Sequence, residues 1–258
     1  MGVGALNRAT SNAPLLLGLD LDGTLAPLCD HPDQVKLPDE VLSMLLDLEQ
    51  HCYVAILSGR SRKNLQSLCG ALRSTLFIGN HGIECPWTEP AHTESAQALC
   101  QSWSKQLHRA ELPEGTWIED KEFGLSFHYR QARDADQAAS KLRQLILELQ
   151  PVPRIISGKY VLNAIPAEAP DKGDALMALD FRYRPEGIIY IGDDITDEMA
   201  FRVLQRSDGA PDKPCLGIRV GQSSQTAASY YIQDQSEVPG LLRELLVRIT
   251  RHSRLDPL

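Results

Sequence analysis

Residues 15–24 read LLLGLDLDGT, an apolar run that passes directly into two acids one residue apart, then Gly23 and Thr24. An apolar run of this length predicts a strand buried on both faces, as in parallel sheets. Asp20 and Asp22 at its end bring carboxylates to the edge where open α/β folds form their ligand crevice. If the strand continued through both acids, side-chain alternation would put them on one face. Gly23 then lets the chain turn away with no Cβ to obstruct a ligand or metal. One carboxylate can serve as nucleophile while its neighbour works as acid and base. A polar turn closing a strand is the plain alternative. A calcium loop is disfavoured, because its sixth and twelfth positions, counted from Asp20, are Leu25 and His31 rather than Gly and Glu.

The same texture recurs along the chain. CYVAIL at 52–57 predicts a second buried strand ending in Ser58-Gly59-Arg60, 75–78 a third ending in GNHG, and 187–191 another ending in GDDITDE at 192–198. Helices are expected from Asp39 to about Gln50, over 61–72 with Ser61 as cap, from Asp171-Lys172-Gly173 to about Leu179, over 196–204, and over 237–251. Residues 216–220 and 230–232 read as the last strands. From about Cys85 the pattern changes to helical spacing over 91–109, half-buried strands at 116–121 and 124–130, a helix over 134–150, and strands at 154–157 and 160–165 around a Gly158-Lys159 turn. Helix, strand, strand thus occurs twice. Such an antiparallel α+β segment set between parallel strands reads as a second, inserted domain.

A chain of 258 residues, 43% hydrophobic, can bury a full core. Its net charge of -8, with no Lys/Arg cluster, argues against a nucleic-acid surface, though not against a phosphorylated small molecule. No apolar run approaches the ~20 residues of a membrane span. Met1–Asn12 lacks the pattern of a signal peptide, and Leu6 argues against myristoylation; the segment reads as a ragged tail. The cysteines at 29, 52, 69, 85, 100 and 215 form no CxxC pair, which suggests buried, reduced thiols in the cytoplasm.

Asp193, Asp194, Asp197 and Glu198 could merely favour a helix N-terminus. Following an all-apolar strand, as Asp20 and Asp22 do, they would crowd carboxylates at one sheet edge, which is destabilising unless a cation neutralises them. Mg²⁺ is the natural choice, being hard, oxygen-seeking and able to keep positions open for phosphate. In that setting the Ser58 hydroxyl can hold a phosphoryl oxygen, and Lys172 can offset phosphoryl charge beside a carboxylate nucleophile. Elsewhere Ser58 would be a turn residue and Lys172 a solvated one.

DLDGT, Ser58 after its strand, Lys172 and GDDITDE resemble the four ordered motifs of the haloacid dehalogenase superfamily of phosphatases. The resemblance implies an α/β fold with a Rossmann-like core, residues 1–84 and 167–258, and an inserted α+β cap, residues 85–166. It also implies Asp20 as nucleophile forming an aspartyl-phosphate and Asp22 as general acid and base. Ser58 and Lys172 would be phosphoryl ligands, with Mg²⁺ on Asp20, the Asp22 carbonyl and Asp193. Asp194 and Asp197 would be further ligands or their supports.

DLDGTLAP, SGRS, GNHGIE, EDKEFGLSFHYR, GKYVLNAIP and GDDITDE together are similar to the trehalose-6-phosphate phosphatase family across roughly residues 15–235. That similarity implies a phosphorylated disaccharide as substrate, bound by cap residues Glu119, Arg130, Lys159 and Asn163, with Arg60, Asn80 and His81 from the core. Without the resemblance, Glu119 and Arg130 would read as a cross-strand ion pair, Lys159 as surface, and His81 as a satisfied buried residue. Asn163 stands where the family usually has Glu. An amide accepts and donates without charge, whereas a carboxylate accepts with charge assistance, so sugar affinity or preference is expected to differ. A phosphatase for another sugar or glycoside phosphate, a phosphomutase and a silent sugar-phosphate sensor are the alternatives, and oligomeric state is not legible.

Overall fold

The computed structural model describes residues 3–11, 13–29, 32–158, 160–207 and 213–252. It begins with a helix, α1 (Val3–Thr10), where a ragged tail was expected. An isolated helix of eight residues is marginal in water. Tertiary packing supports this one: Leu6 and Ala9, three residues apart on one stripe, are buried in the same apolar cluster as the first strand and the last helix.

The chain continues through β1 (Leu15–Leu19), α2 (Asp39–Leu48), β2 (Tyr53–Leu57), α3 (Arg62–Leu68), β3 (Leu76–Ile78), α4 (Pro90–Leu107), β4 (Trp117–Asp120) and β5 (Leu125–His128). It goes on through α5 (Ala135–Leu147), β6 (Arg154–Gly158), β7 (Val161–Ile165), α6 (Lys172–Tyr183), β8 (Gly187–Gly192), α7 (Glu198–Ser207), β9 (Cys215–Val220), β10 (Tyr230–Ile232) and α8 (Val238–His252). These elements divide into two compact units, Met1–Gly82 with Asp171–Leu258, and Ile83–Pro170.

The first unit is built on a six-stranded sheet of order β10-β9-β8-β1-β2-β3, parallel at every pairing. Strand order runs outward from β1 and β8 in opposite directions, which makes that pair the switch point of the sheet. Leu15, Leu17 and Leu19 pack with Val41, Leu45 and Leu48 of α2 and Leu242 and Leu245 of α8. On the opposite face Gly18 lies beside Tyr190, and the Tyr190 ring meets Phe201 of α7 edge-on. Burial on both faces explains why β1 and β8 lack the apolar-polar alternation of a half-exposed strand.

In the second unit a four-stranded antiparallel sheet of order β4-β5-β7-β6 is covered on one face by α4 and α5. Leu125, Phe127, Leu162 and Ala164 point into that core with Trp103, Leu142 and Ile146. Alternation therefore puts Trp117, Glu119, Ser126, His128 and Asn163 on the other face.

Two local expectations change. GDDITDE opens as a 3-10 turn, Ile195–Asp197, before α7, because the Asp197 carboxylate turns back to accept from the Asp193 and Asp194 amides. The helix at Lys172 runs four residues past Leu179, to Tyr183, and stops where Arg184 adopts a left-handed conformation.

Candidate active site

β1 stops at Leu19, so Asp20 and Asp22 are not consecutive same-face residues of one strand as the spacing predicted. The Asp20 amide still bonds to Ile191 O at 2.9 Å, holding it at the β1–β8 switch point. Gly23 N to Ala26 O, 2.8 Å, and Ala26 N to Leu21 O, 2.8 Å, then fold the chain tightly over itself. Gly23 has φ +89°, and a Cβ there would come within 2.2 Å of Asp193 Oδ2. Only glycine permits that approach.

Asp20, Lys172 and Asp197 form a buried array. Lys172 Nζ donates to Asp20 Oδ1 and to Asp197 Oδ1, each at 2.7 Å, and its side chain is 2% exposed. Lys172 reaches this point from the first turn of α6, where Asp171 caps the helix by accepting from the Gly173 and Asp174 amides. Asp197 also accepts from Tyr190 OH at 2.6 Å and from the amides of Asp193 and Asp194 at 3.0 and 2.9 Å. Both of its oxygens are therefore engaged, as befits a group that fixes its neighbours. Thr24 Oγ1 donates to Asp193 Oδ1 at 3.2 Å.

The electrostatics follow from burial and crowding. Burial raises the Asp20 carboxyl well above the usual range, aided by Asp197 and Asp193 and opposed by Lys172. Asp193 is pushed up to about 6 by burial, then by Asp197 and Asp194, and Asp194 is raised mainly by burial. For the Lys172 ammonium, burial works downward, but Asp197 and Asp20 outweigh it and keep the charge on nitrogen. One ammonium thus faces several acids. Oxygens of Asp20, Asp193 and Asp197 lie within 4.8 Å of one another. This hard, anionic and under-neutralised donor set fits a hard divalent cation.

Ser58, buried at the end of β2, bonds through its amide to Ile78 O at 3.0 Å, and its carbonyl accepts from His81 N at 2.9 Å. Asn80 N bonds to Arg60 O at 2.8 Å, so the β3 turn braces the Ser58-Gly59-Arg60 loop. Asn80 and His81 both occupy the left-handed region, at φ 48° and 58°, a strained backbone of the kind that clusters at functional sites. Arg60 holds Asp22 in a bidentate pair, Nε to Oδ2 at 2.7 Å and Nη2 to Oδ1 at 2.8 Å, and also donates to Asn64 Oδ1. No spacing in the sequence signals this pairing.

In the second unit Glu119 and Asn163 share a face, each in register with Ser126. Glu119 Oε2 lies 2.9 Å from His128 Nε2 and 3.8 Å from Lys121 Nζ. Ser126 Oγ donates to Asn163 Oδ1 at 2.6 Å. The Arg130 guanidinium stands 5.5 Å from the centroid of the Tyr160 ring. Lys159 lies outside the described residues. Among groups that sequence reasoning missed, Tyr190 had one signal, the isolated Gly18 in an apolar strand, which marks close approach. A Cβ on Gly18 would stand 2.7 Å from the Tyr190 ring. Glu198, expected near the acids, instead pairs with Arg219 at 2.9 Å and accepts from Thr226 and the Ala227 amide.

A family model described as trehalose-phosphatase matches residues 18–236. The chain is 30% identical over 265 residues to trehalose 6-phosphate phosphatase RA3 of Zea mays, covering 93% of this chain and 72% of that protein. It is 33% identical over 219 residues to the trehalose-6-phosphate phosphatase of Escherichia coli K12, covering 81% and 78%. Among solved structures it resembles the C-terminal domain of C. albicans trehalose-6-phosphate phosphatase, with TM-score 0.74 and 21% identity over 94% of this chain and 95% of that one.

Proposed function

The chain belongs to the trehalose-phosphatase family, and on that premise we propose that it hydrolyses trehalose 6-phosphate to trehalose and inorganic phosphate. The observation that carries this reading is the buried Asp20–Lys172–Asp197 array at the β1–β8 switch point. Asp20 attacks phosphorus, the bond from phosphorus to the sugar 6-oxygen breaks, and that oxygen takes a proton from Asp22. The aspartyl-phosphate is then cleaved by water, whose proton passes to Asp22, and phosphate leaves with Asp20 restored. Lys172 and the Ser58 hydroxyl hold phosphoryl oxygens, and the ammonium, already fixed against Asp20, meets the growing charge without reorganising.

Both Asp22 oxygens accept from Arg60, so the carboxyl is not free to meet the sugar oxygen while that bidentate pair stands. Substrate binding therefore has to draw the guanidinium from Asp22 to the phosphoryl oxygens, a partner that suits its planar fork equally well. Asp20, the Asp22 carbonyl and Asp193 would hold Mg²⁺, with Asp194 nearby and Asp197 orienting the turn. The bound ion would offset the negative charge that carboxylates and phosphate bring together.

Glu119, Arg130, Lys159 and Asn163 are the proposed sugar contacts of the inserted unit, and Asn80 and His81 the proposed substrate contacts of the first unit. Free cysteines accord with a reducing compartment, the cytoplasm.

The test is phosphate release with Mg²⁺ and with EDTA across trehalose 6-phosphate, sucrose 6-phosphate and glucose 6-phosphate. Mg²⁺-dependent release confined to trehalose 6-phosphate is expected, and release from another sugar alone would overturn the substrate. Asp20→Asn should lower turnover on the order of 10³-fold or more, as loss of a nucleophile does, with the circular dichroism spectrum retained. Residual turnover near the parent rate would remove Asp20 from that role.

A further inference from the structure

On the face of the second sheet opposite α4 and α5, beside Glu119, lies a feature that the sugar contacts above do not use. Trp117 and His128 face each other across β4 and β5, with ring centroids 3.9 Å apart and planes at 11°. His128 Nε2 meets Glu119 Oε2 at 2.9 Å, so one imidazole is stacked on the indole and hydrogen-bonded to the carboxylate. Trp117 nevertheless remains 44% exposed, and the Glu119 side chain 31%. A large indole left in water on a sheet face is a candidate contact surface.

We propose that Trp117 and His128 extend the sugar site: Trp117 is a platform for the C–H face of a pyranose ring, and His128 is the positioning residue that orients Glu119 beside it. The chemistry of the three side chains matches one ligand class. A pyranose has an apolar face of axial C–H groups, which packs on a flat π surface, and a rim of equatorial hydroxyls, which a carboxylate accepts. Trp117 and Glu119 are two residues apart on one strand, so ring and carboxylate project to the same side at about the span of a single sugar, ~7 Å. Stacking on His128 holds the indole plane, and the bond to His128 holds the carboxylate, so little side-chain freedom remains to be lost on binding. Ser126 and Asn163 continue the polar row across the sheet.

The inference rests on the reading that this face takes the sugar, and the experiment separates the two. The kcat/KM for trehalose 6-phosphate is divided by that for p-nitrophenyl phosphate, which carries no pyranose, for the parent and for Trp117→Ala, His128→Ala, His128→Gln and Glu119→Gln. Trp117→Ala and His128→Ala should each lower the ratio about tenfold, equivalent to ~1.4 kcal/mol, through KM rather than kcat. His128→Gln, which keeps a donor toward Glu119, should recover most of the loss. Trehalose added to the Asp20→Asn protein should change the tryptophan emission, and Trp117→Phe should remove that change, a readout independent of turnover. An unchanged ratio in Trp117→Ala and His128→Ala, with Glu119→Gln impaired, would overturn the roles of Trp117 and His128 alone. An unchanged ratio in Glu119→Gln as well would overturn the sugar-face reading and this inference together.

Discussion

Lys172 lies 2% exposed between Asp20 and Asp197, so any variant that loses its charge leaves two acids buried without their cation. Breaking a buried pair from one side costs about 3–5 kcal/mol, because the abandoned charge is worse than no pair at all. Lys172→Met should therefore lower unfolding stability by roughly that amount in urea titrations and also abolish phosphate release. A stable but inactive Lys172→Met would show that the acids accept protons instead. The same residue illustrates the limit of motif reading. Its identity and place after Asp171 were legible, but its bond to Asp197 was not, because Asp197 comes from a turn 25 residues further on that packs against α6 only in the fold.

At the scale of elements, β1 and α1 make opposite cases. β1 is specified locally by its apolar run, and the glycine within it has a tertiary reason, since Gly18 sits against the ring of Tyr190. Gly18→Ala should destabilise the chain by ~1–3 kcal/mol, the usual cost of overpacking. Because Tyr190 OH bonds to Asp197, turnover should fall with it. Melting temperature and kcat measured together test the link, and a kcat that holds while stability drops would break it. α1 lacks a strong local signal. Its stability comes from Leu6 and Ala9 meeting α8 and the sheet, so Leu6→Ala should cost ~2–4 kcal/mol. An effect within ~0.5 kcal/mol, the scale of surface changes, would mean that the helix is not part of the core.

For the whole molecule, burial sets the behaviour of the thiols. Cys29 is exposed, whereas burial pushes Cys52 and Cys100 up to about 12 and Cys69 up to about 11. A thiol reagent at pH 8 should modify Cys29 rapidly and the others only on unfolding, and Cys29→Ser should remove the fast phase. The folded chain holds the three raised protons more tightly than the unfolded chain, whose thiols titrate near the ordinary 9.0. Stability is therefore full below that pH and falls as pH rises beyond it. Unfolding midpoints that stay flat from pH 8 to 10.5 would contradict the burial.

What the sequence determined by itself were the features written within a few residues: apolar strands buried on both faces, the acids at their ends, the helix cap at Asp171, and a change of texture where the antiparallel segment begins. Local sterics and solvation decide these, so the parallel core, the inserted sheet and the gathering of acids at the ends of β1 and β8 could be read in advance. The tertiary structure decided what each acid does. Asp197 became the brace that holds Lys172, Tyr190 and two amides, Asp22 became the partner of Arg60, and Glu198 turned to Arg219. Those assignments depend on which side chains converge from strands and helices distant in the chain, and on how far burial amplifies their charges. No spacing within a single segment carries that information.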